Sequence, residues 1–360
     1  MIDYEREHRR MRFMLGGAIL AFVVLLAATI PSPYVIERPG PVVDTLGKIT
    51  IEGETEDVIR LEGVDTYPTT GRLNLLTVTT VGSPQQPVDW LSLVPALLDR
   101  TQQITPMSSL FPEGTTEDDR DAVNTALMGS SQTRSVAAAL DELGEPVPVM
   151  LRVGSVAEDG PAEGILEQGD LLVAVGADPV EDFESLRAAV ASSGAGSEVE
   201  LLIERSGERR TETVTPEIPE GGEDPLLGIT VVSEYDLPFE VTISLDEIGG
   251  PSAGMIFALA IYDELTPGSL TDGIDVSGTG TIGESGEVGP IGGLSQKMWG
   301  AARAGSDLML IPVGNCGDVP DRLPEGLRLA PVATLSEAIA AVETAADGGT
   351  PPGLERCPAE

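Results

Sequence analysis

The stretch Gly249-Gly250-Pro251-Ser252-Ala253-Gly254-Met255 lies between two segments of different periodicity. Before it, residues 239–245 alternate, with Val241, Ile243 and Leu245 on one face, the pattern of a half-buried strand. After it, residues 253–261 form a continuous apolar run of helix-forming residues. Two glycines permit a sharp turn, and a proline suits the first turn of a helix. Ser252 is therefore predicted near a helix N-terminus, where N–H groups without intrahelical acceptors can hold a developing oxyanion. The same heptapeptide also reads as a serine that caps a helix after a glycine turn.

Forty-five residues on stands Gly289-Pro290-Ile291-Gly292-Gly293-Leu294-Ser295-Gln296-Lys297. Of 21 cationic side chains, all are arginine except Lys48 and Lys297. A lysine kept where arginine is otherwise used suggests a task that needs loss of a proton. In apolar surroundings its pKa falls, and the neutral amine can accept a proton from a serine hydroxyl. Taken alone, Lys297 also reads as a leftover surface lysine; beside the serine motif the base reading is preferred. The one histidine, His8, precedes the first apolar segment, so no Ser-His-Asp arrangement is available to the main body.

Gly250-Pro251-Ser252-Ala253-Gly254, then Thr279-Gly280, then Pro290-Ile291-Gly292-Gly293-Leu294 ending in Lys297, resembles the proteolytic domain of Lon proteases. The resemblance covers roughly residues 230–345. It implies that Ser252 is the nucleophile, that Lys297 is the general base, and that Thr279 hydrogen-bonds the lysine. Many Lon enzymes carry an acidic residue three before the serine. Here Gly249 stands there, with Asp246 and Glu247 further back, so no catalytic carboxylate is assigned.

Outward from this core, residues 13–30 are an uncharged apolar run of 18, preceded by Arg6, Arg9, Arg10 and Arg12 and closed by Pro31-Ser32-Pro33. Such a run just crosses a bilayer core of about 30 Å as a helix. It is long for a signal-peptide core, and Ala27-Ala28-Thr29 makes a poor cleavage site. An uncleaved signal anchor is expected, with the N-terminus cytoplasmic and the rest of the chain outside. Residues 34–47 are extended and proline-rich, and resemble the juxtamembrane segment of membrane-anchored PDZ–Lon-like proteases of Gram-positive bacteria. Residues 71–81 read as a strand, 88–100 as a helix, and 118–143 as a helix interrupted around Gly129-Ser130-Ser131. No chemistry is evident in 48–143; packing, or a platform for later domains, is the expectation.

From residue 146 a strand, a Gly160-Pro161-Ala162 turn, a Gly169-Asp170 strand, a helix at 183–191 and strands at 198–204 and 210–214 follow in sequence. This order resembles a bacterial PDZ domain, which adds an extended peptide to a sheet edge; the carboxylate loop is expected near 144–149. Without the resemblance the segment reads as a small β-rich spacer. The Pro- and Gly-rich acidic segment 216–225 marks a boundary. Cys316 and Cys357 are either a disulfide, which would pin the C-terminal tail, or two free thiols.

The fold class expected is α/β and α+β multidomain: an N-terminal transmembrane helix, a β-rich PDZ domain and a C-terminal mixed α/β Lon-type proteolytic domain. Boundaries are expected at 1–12 (cytoplasmic), 13–30 (anchor), 31–145 (juxtamembrane), 146–215 (PDZ), 216–228 (linker), 229–345 (proteolytic) and 346–360 (tail). A net charge of −38 with 4% aromatic residues argues against nucleic acid. One histidine and two cysteines make a zinc site implausible, and no cofactor is expected. Gly47-Lys48 is followed by Ile49, not by the Ser or Thr of a nucleotide-binding loop. The function expected is a membrane-anchored, ATP-independent serine endopeptidase acting on polypeptides recruited through the PDZ domain. The resemblance further implies a homo-oligomer. The alternative is a catalytically silent extracytoplasmic PDZ scaffold or adaptor.

Overall fold

The computed structural model describes residues 2–51, 53–112, 114–219, 222, 224–245, 249–320 and 322–357. Asp246, Glu247 and the side chains of Arg6, Arg9 and Arg10 lie outside the described residues. Two compact units are present: residues 1–61, 65–135 and 241–360 form the first, and 62–64 with 136–240 the second.

The first unit is built on a six-stranded sheet in the order Arg328–Val332, Leu308–Pro312, Asp275–Gly278, Arg72–Val81, Tyr34–Asp44, Gln103–Pro106. The first four strands are mutually parallel, and the last two add antiparallel. Segment 34–106 thus supplies the centre and one edge of the sheet that the later strands complete. Leu73, Leu75 and Leu76 in Arg72–Val81 are buried, as is every residue of Leu308–Pro312. Strands covered on both faces become continuous apolar runs rather than alternating ones.

Helix Gly254–Leu265 packs on this sheet, with Met255 to Ile261 wholly buried. Its approach requires Gly278, where a Cβ would lie 2.4 Å from Ile256 Cδ1. Helix Leu294–Ala304 buries Leu294, Met298 and Ala301 against Leu76, Met309 and Ile311. Cys316 and Cys357 form a disulfide that ties the tail to the 3-10 turn Val313–Asp318.

Two helices differ from expectation. Glu117–Glu142 is a single helix with no break at Gly129, and the hydroxyls of Thr133 and Ser135 bond carbonyls one turn back within it. The segment expected as a helix from 88 is helical only over Leu93–Leu98. Its first residues are drawn into non-helical bonds: Ser32 N–H donates to the Val88 carbonyl and Leu91 N–H to the Ala27 carbonyl. Helix Ile2–Thr29 contains one span, Met11–Thr29, long and apolar enough to cross a membrane, and none of it is buried by the protein.

In the second unit, strands Glu208–Val214, Val199–Arg205, Leu171–Val175, Val149–Val156 and Ile229–Tyr235 pair antiparallel in that order. Ile229–Tyr235 therefore adds to this sheet and not to the one beneath Gly254–Leu265. Helix Phe183–Ser193 starts with a capping box between Asp182 and Ser185. Its Leu186 and Val190 join a core with Leu151, Val153, Leu172, Leu201 and Ile203.

Beside that core, Asp170 is 1% exposed and receives two hydrogen bonds from Arg205, from Nε at 2.7 Å and from Nη2 at 2.6 Å. Burial pushes the Asp170 pKa up, but the arginine bonds outweigh it and hold the carboxyl below its usual range. Arg205→Ala would leave that carboxylate buried without its cation, at a cost of about 3 kcal/mol or more. Urea titration should show this loss at neutral pH. The difference between wild type and variant should shrink as the pH falls, starting where the unpaired buried carboxyl of the variant takes up its proton and ending through the lowered Asp170 pKa of the wild type, because protonated Asp170 no longer needs the guanidinium.

Candidate functional site

The loop before helix Gly254–Leu265 turns at Gly250, whose φ of 94° is open to glycine and strained for other residues. Pro251–Ala253 then forms one 3-10 turn that leads directly into the helix. Ser252 stands in this turn, and the N–H groups of a first helical turn lack acceptors along the chain. Its carbonyl is turned inward, taking the Gly280 N–H at 2.9 Å and the Thr279 hydroxyl at 3.0 Å. Met255 N–H returns a bond to the Gly280 carbonyl at 3.1 Å, so the serine loop is tied to segment 279–280 in both directions.

Lys297 comes from the first turns of helix Leu294–Ala304 and is 3% exposed. Its Nζ lies 2.8 Å from Ser252 Oγ and 2.9 Å from Thr279 Oγ1. Ser252, Thr279 and Lys297, singled out from sequence alone, are thus brought together. No carboxylate forms an ion pair with Lys297 among the described residues. Burial pushes its pKa down to about 7.

The proton inventory of the cluster is constrained. Thr279 gives its one hydroxyl proton to the Ser252 carbonyl, so toward Lys297 it can only accept. A neutral amine that donates one N–H to Thr279 can turn its lone pair toward the Ser252 hydroxyl. The ammonium form, with three N–H and no lone pair, can only donate to Ser252 Oγ. The arrangement therefore favours proton transfer from Ser252 to Lys297 when the amine is neutral.

Helix Glu117–Glu142 contributes groups that sequence reading missed. Gly250 N–H donates to the Asn124 carbonyl at 3.0 Å, and Ser131 Oγ donates to the Pro251 carbonyl at 3.1 Å. Ser135 Oγ lies 2.9 Å from the Gly254 carbonyl and 2.6 Å from the Ser131 carbonyl, sharing one proton between them. Three points on one helix thus grip the backbone on both sides of Ser252. The signal available in the sequence was the spacing of Met128, Ser131 and Ser135, which puts two serines on the buried face of a polar helix.

The Lon protease (S16) C-terminal proteolytic domain family matches residues 246–344, and the PDZ domain family matches 115–215. The Lon protease of Rhizobium meliloti is 40% identical over 94 residues, which cover 25% of this chain and 11% of that protein. Lon protease 1 of Hydrogenovibrio crunogenus is 43% identical over 91 residues, covering 24% of this chain and 11% of that protein. The chain therefore spans about a tenth of the length of these curated relatives. Among solved structures, the PDZ domain of an SdrC-like protein from Listeria innocua is 25% identical, with a TM-score of 0.22, covering 23% of this chain and 92% of that one. The chain carries a Lon-type (S16) proteolytic domain at residues 246–344 and a PDZ domain ahead of it.

Proposed function

We propose that this protein is a membrane-anchored serine endopeptidase in which Ser252 attacks the scissile carbonyl and Lys297 is the general base. The observation that carries the reading is the buried Lys297 amine, 2.8 Å from Ser252 Oγ and 2.9 Å from Thr279 Oγ1. Thr279 orients the amine. As Ser252 Oγ bonds to the carbonyl carbon, its proton passes to Nζ, and backbone N–H groups near Ser252 hold the oxyanion. Collapse of the tetrahedral intermediate returns the proton to the leaving amine, and water attacks the acyl-enzyme by the same route. Within these 360 residues Gly47-Lys48 lacks the Ser or Thr of a nucleotide-binding loop, so cleavage by this chain is proposed to proceed without ATP.

The PDZ domain is assigned recruitment of extended polypeptide segments to the protease. Met11–Thr29 is the anchor, with the arginines before it on the cytoplasmic side and the body outside. The Cys316–Cys357 disulfide supports that side, since such bonds persist in oxidising compartments.

Two experiments test the site. Lys297→Arg keeps the charge but cannot deprotonate, so a folded variant should lose at least about 100-fold in peptide cleavage. Wild-type kcat/KM should rise with pH through about 7, where the buried amine loses its proton, and fall about tenfold per unit below it. A folded Lys297→Arg protein that cleaves near the wild-type rate would sink the mechanism and leave the PDZ scaffold reading.

The second concerns the helix that grips the serine loop. Ser131→Ala/Ser135→Ala removes two donors at a net cost of about 1 kcal/mol each, which urea titration should detect. Cleavage should fall more than this small loss of folded fraction explains, through kcat rather than KM. Unchanged kcat would show that the grip serves stability alone.

A further inference from the structure

We propose that the segment from Trp90 to Leu98 is a second membrane contact, a short apolar shelf lying in the lipid interface beside the exit of the transmembrane helix. The proposal rests on the membrane reading of Met11–Thr29. Trp90 is 44% exposed, Val94 48%, Leu97 73% and Leu98 82%, and Leu91 between them is also exposed. Meanwhile Leu93 and Ala96 of the same short helix are buried with Ile36. The segment thus has two apolar faces, one satisfied by the protein core and one left exposed by the described residues. A lone exposed leucine needs no explanation, but a run of five large apolar side chains in nine residues does.

What covers this face follows from where it is attached. Pro31 has no N–H, so the Ala27 carbonyl loses its partner four residues on. Leu91 N–H takes that place at 3.0 Å, and Ser32 N–H bonds the Val88 carbonyl at 2.8 Å. Ala27 lies three residues inside the end of the apolar run at Ile30, about 4.5 Å along a helix axis. The backbone at Leu91 is therefore fixed at the depth where the hydrocarbon core meets the headgroups. Trp90 packs edge-on against Tyr34, ring centroids 5.9 Å apart, and aromatic residues of this kind favour that depth.

The charges at the shelf agree. Asp89 is the one ionised side chain from 88 to 98, and its carboxylate is turned into the Ser92 N–H and hydroxyl, at 2.9 and 2.8 Å. The occupant is therefore the acyl-chain region of the leaflet into which the anchor emerges, reached by leucine and tryptophan side chains and not by basic ones.

The chain has two tryptophans, so Trp299→Phe leaves Trp90 as the single reporter. The full-length variant is reconstituted in phosphatidylcholine vesicles whose acyl chains are brominated near the headgroup. Trp90 emission should drop at least about twofold relative to unbrominated vesicles, with little quenching by aqueous iodide. Adding Leu97→Glu/Leu98→Glu should reverse this pattern while cleavage of a short soluble peptide stays unchanged. Quenching by iodide and not by bromolipid, in a chain that resists alkaline carbonate extraction, overturns the shelf while the anchor stands. Protection from both quenchers means that protein, such as a second copy of the chain, covers the face, and also overturns it. A chain that carbonate releases overturns the anchor and the shelf together.

Discussion

A buried lysine amine, with no carboxylate paired to it among the described residues, is the constraint around which the proteolytic unit is arranged. Moving the Lys297 pKa from 10.5 to about 7 makes its protonated form on the order of 5 kcal/mol less favourable than in water. A nearby Asp or Glu would remove this penalty and with it the free lone pair. The surroundings supply hydroxyls instead. Thr279 accepts one N–H, Ser252 faces the remaining position, and Leu294, Met298 and Ala301 anchor the same helix in the core. Hydroxyls stabilise an amine in either protonation state, whereas a carboxylate stabilises only one.

Such a site demands a rigid support, and the support is assembled from distant parts of the chain. Arg72–Val81 pairs in parallel with Asp275–Gly278, so the central strands are contributed by segments on either side of the second unit in sequence. The strand Tyr34–Asp44, soon after the apolar helix Ile2–Thr29, pairs with Arg72–Val81 over most of its length. The sheet that bears Ser252 and Lys297 is therefore incomplete until the C-terminal strands arrive. Pairing at such separation must overcome loop-closure entropy before it gains contacts, which makes it slow to form. The site inherits this dependence: Thr279 follows directly on Asp275–Gly278, and its N–H bonds the Leu310 carbonyl of the neighbouring strand.

How much of this was legible depended on the distance over which each feature is encoded. The two motifs around Ser252 and Lys297 are local: glycine turns, a proline and helix-starting residues act within a few positions. The second unit's strands between 149 and 214 and its helix Phe183–Ser193 were legible for the same reason, since turns and alternation there recur every few residues. Residues 48–143 showed a strand at 71–81 and a helix at 118–143, but no sign of what either packs against. The burial of Leu73 to Leu76 is set by a partner strand two hundred residues later, and helical or strand propensity contains nothing about it. Ser131 was read as part of a helix interruption, with Ser135 in the helix after it, because serine competes with the backbone for hydrogen bonds in isolation. In the folded chain their hydroxyls are occupied by the carbonyls of Pro251, Gly254 and Ser131, and the helix runs on unbroken. The absent N–H of Pro31 was visible, but that Leu91 would fill its place was not.

For a chain anchored as proposed, the overall charge decides what kind of membrane contact the body can use. Many peripheral contacts rely on lysine and arginine facing anionic headgroups, each worth about 1 kcal/mol near the surface. A chain with a net charge of −38, 19 arginines and two lysines works against that mechanism, and repulsion from an anionic leaflet would favour a body held away from it. Repulsion between exposed charges is screened beyond about 10 Å at 0.1 M salt, however, so close to the proposed anchor the local residues decide. There the chain presents Trp90 and leucines, and the single acid is turned back onto Ser92. Apolar contact is insensitive to headgroup charge, and so can hold the base of an acidic body at the interface while the rest of its surface stays in water.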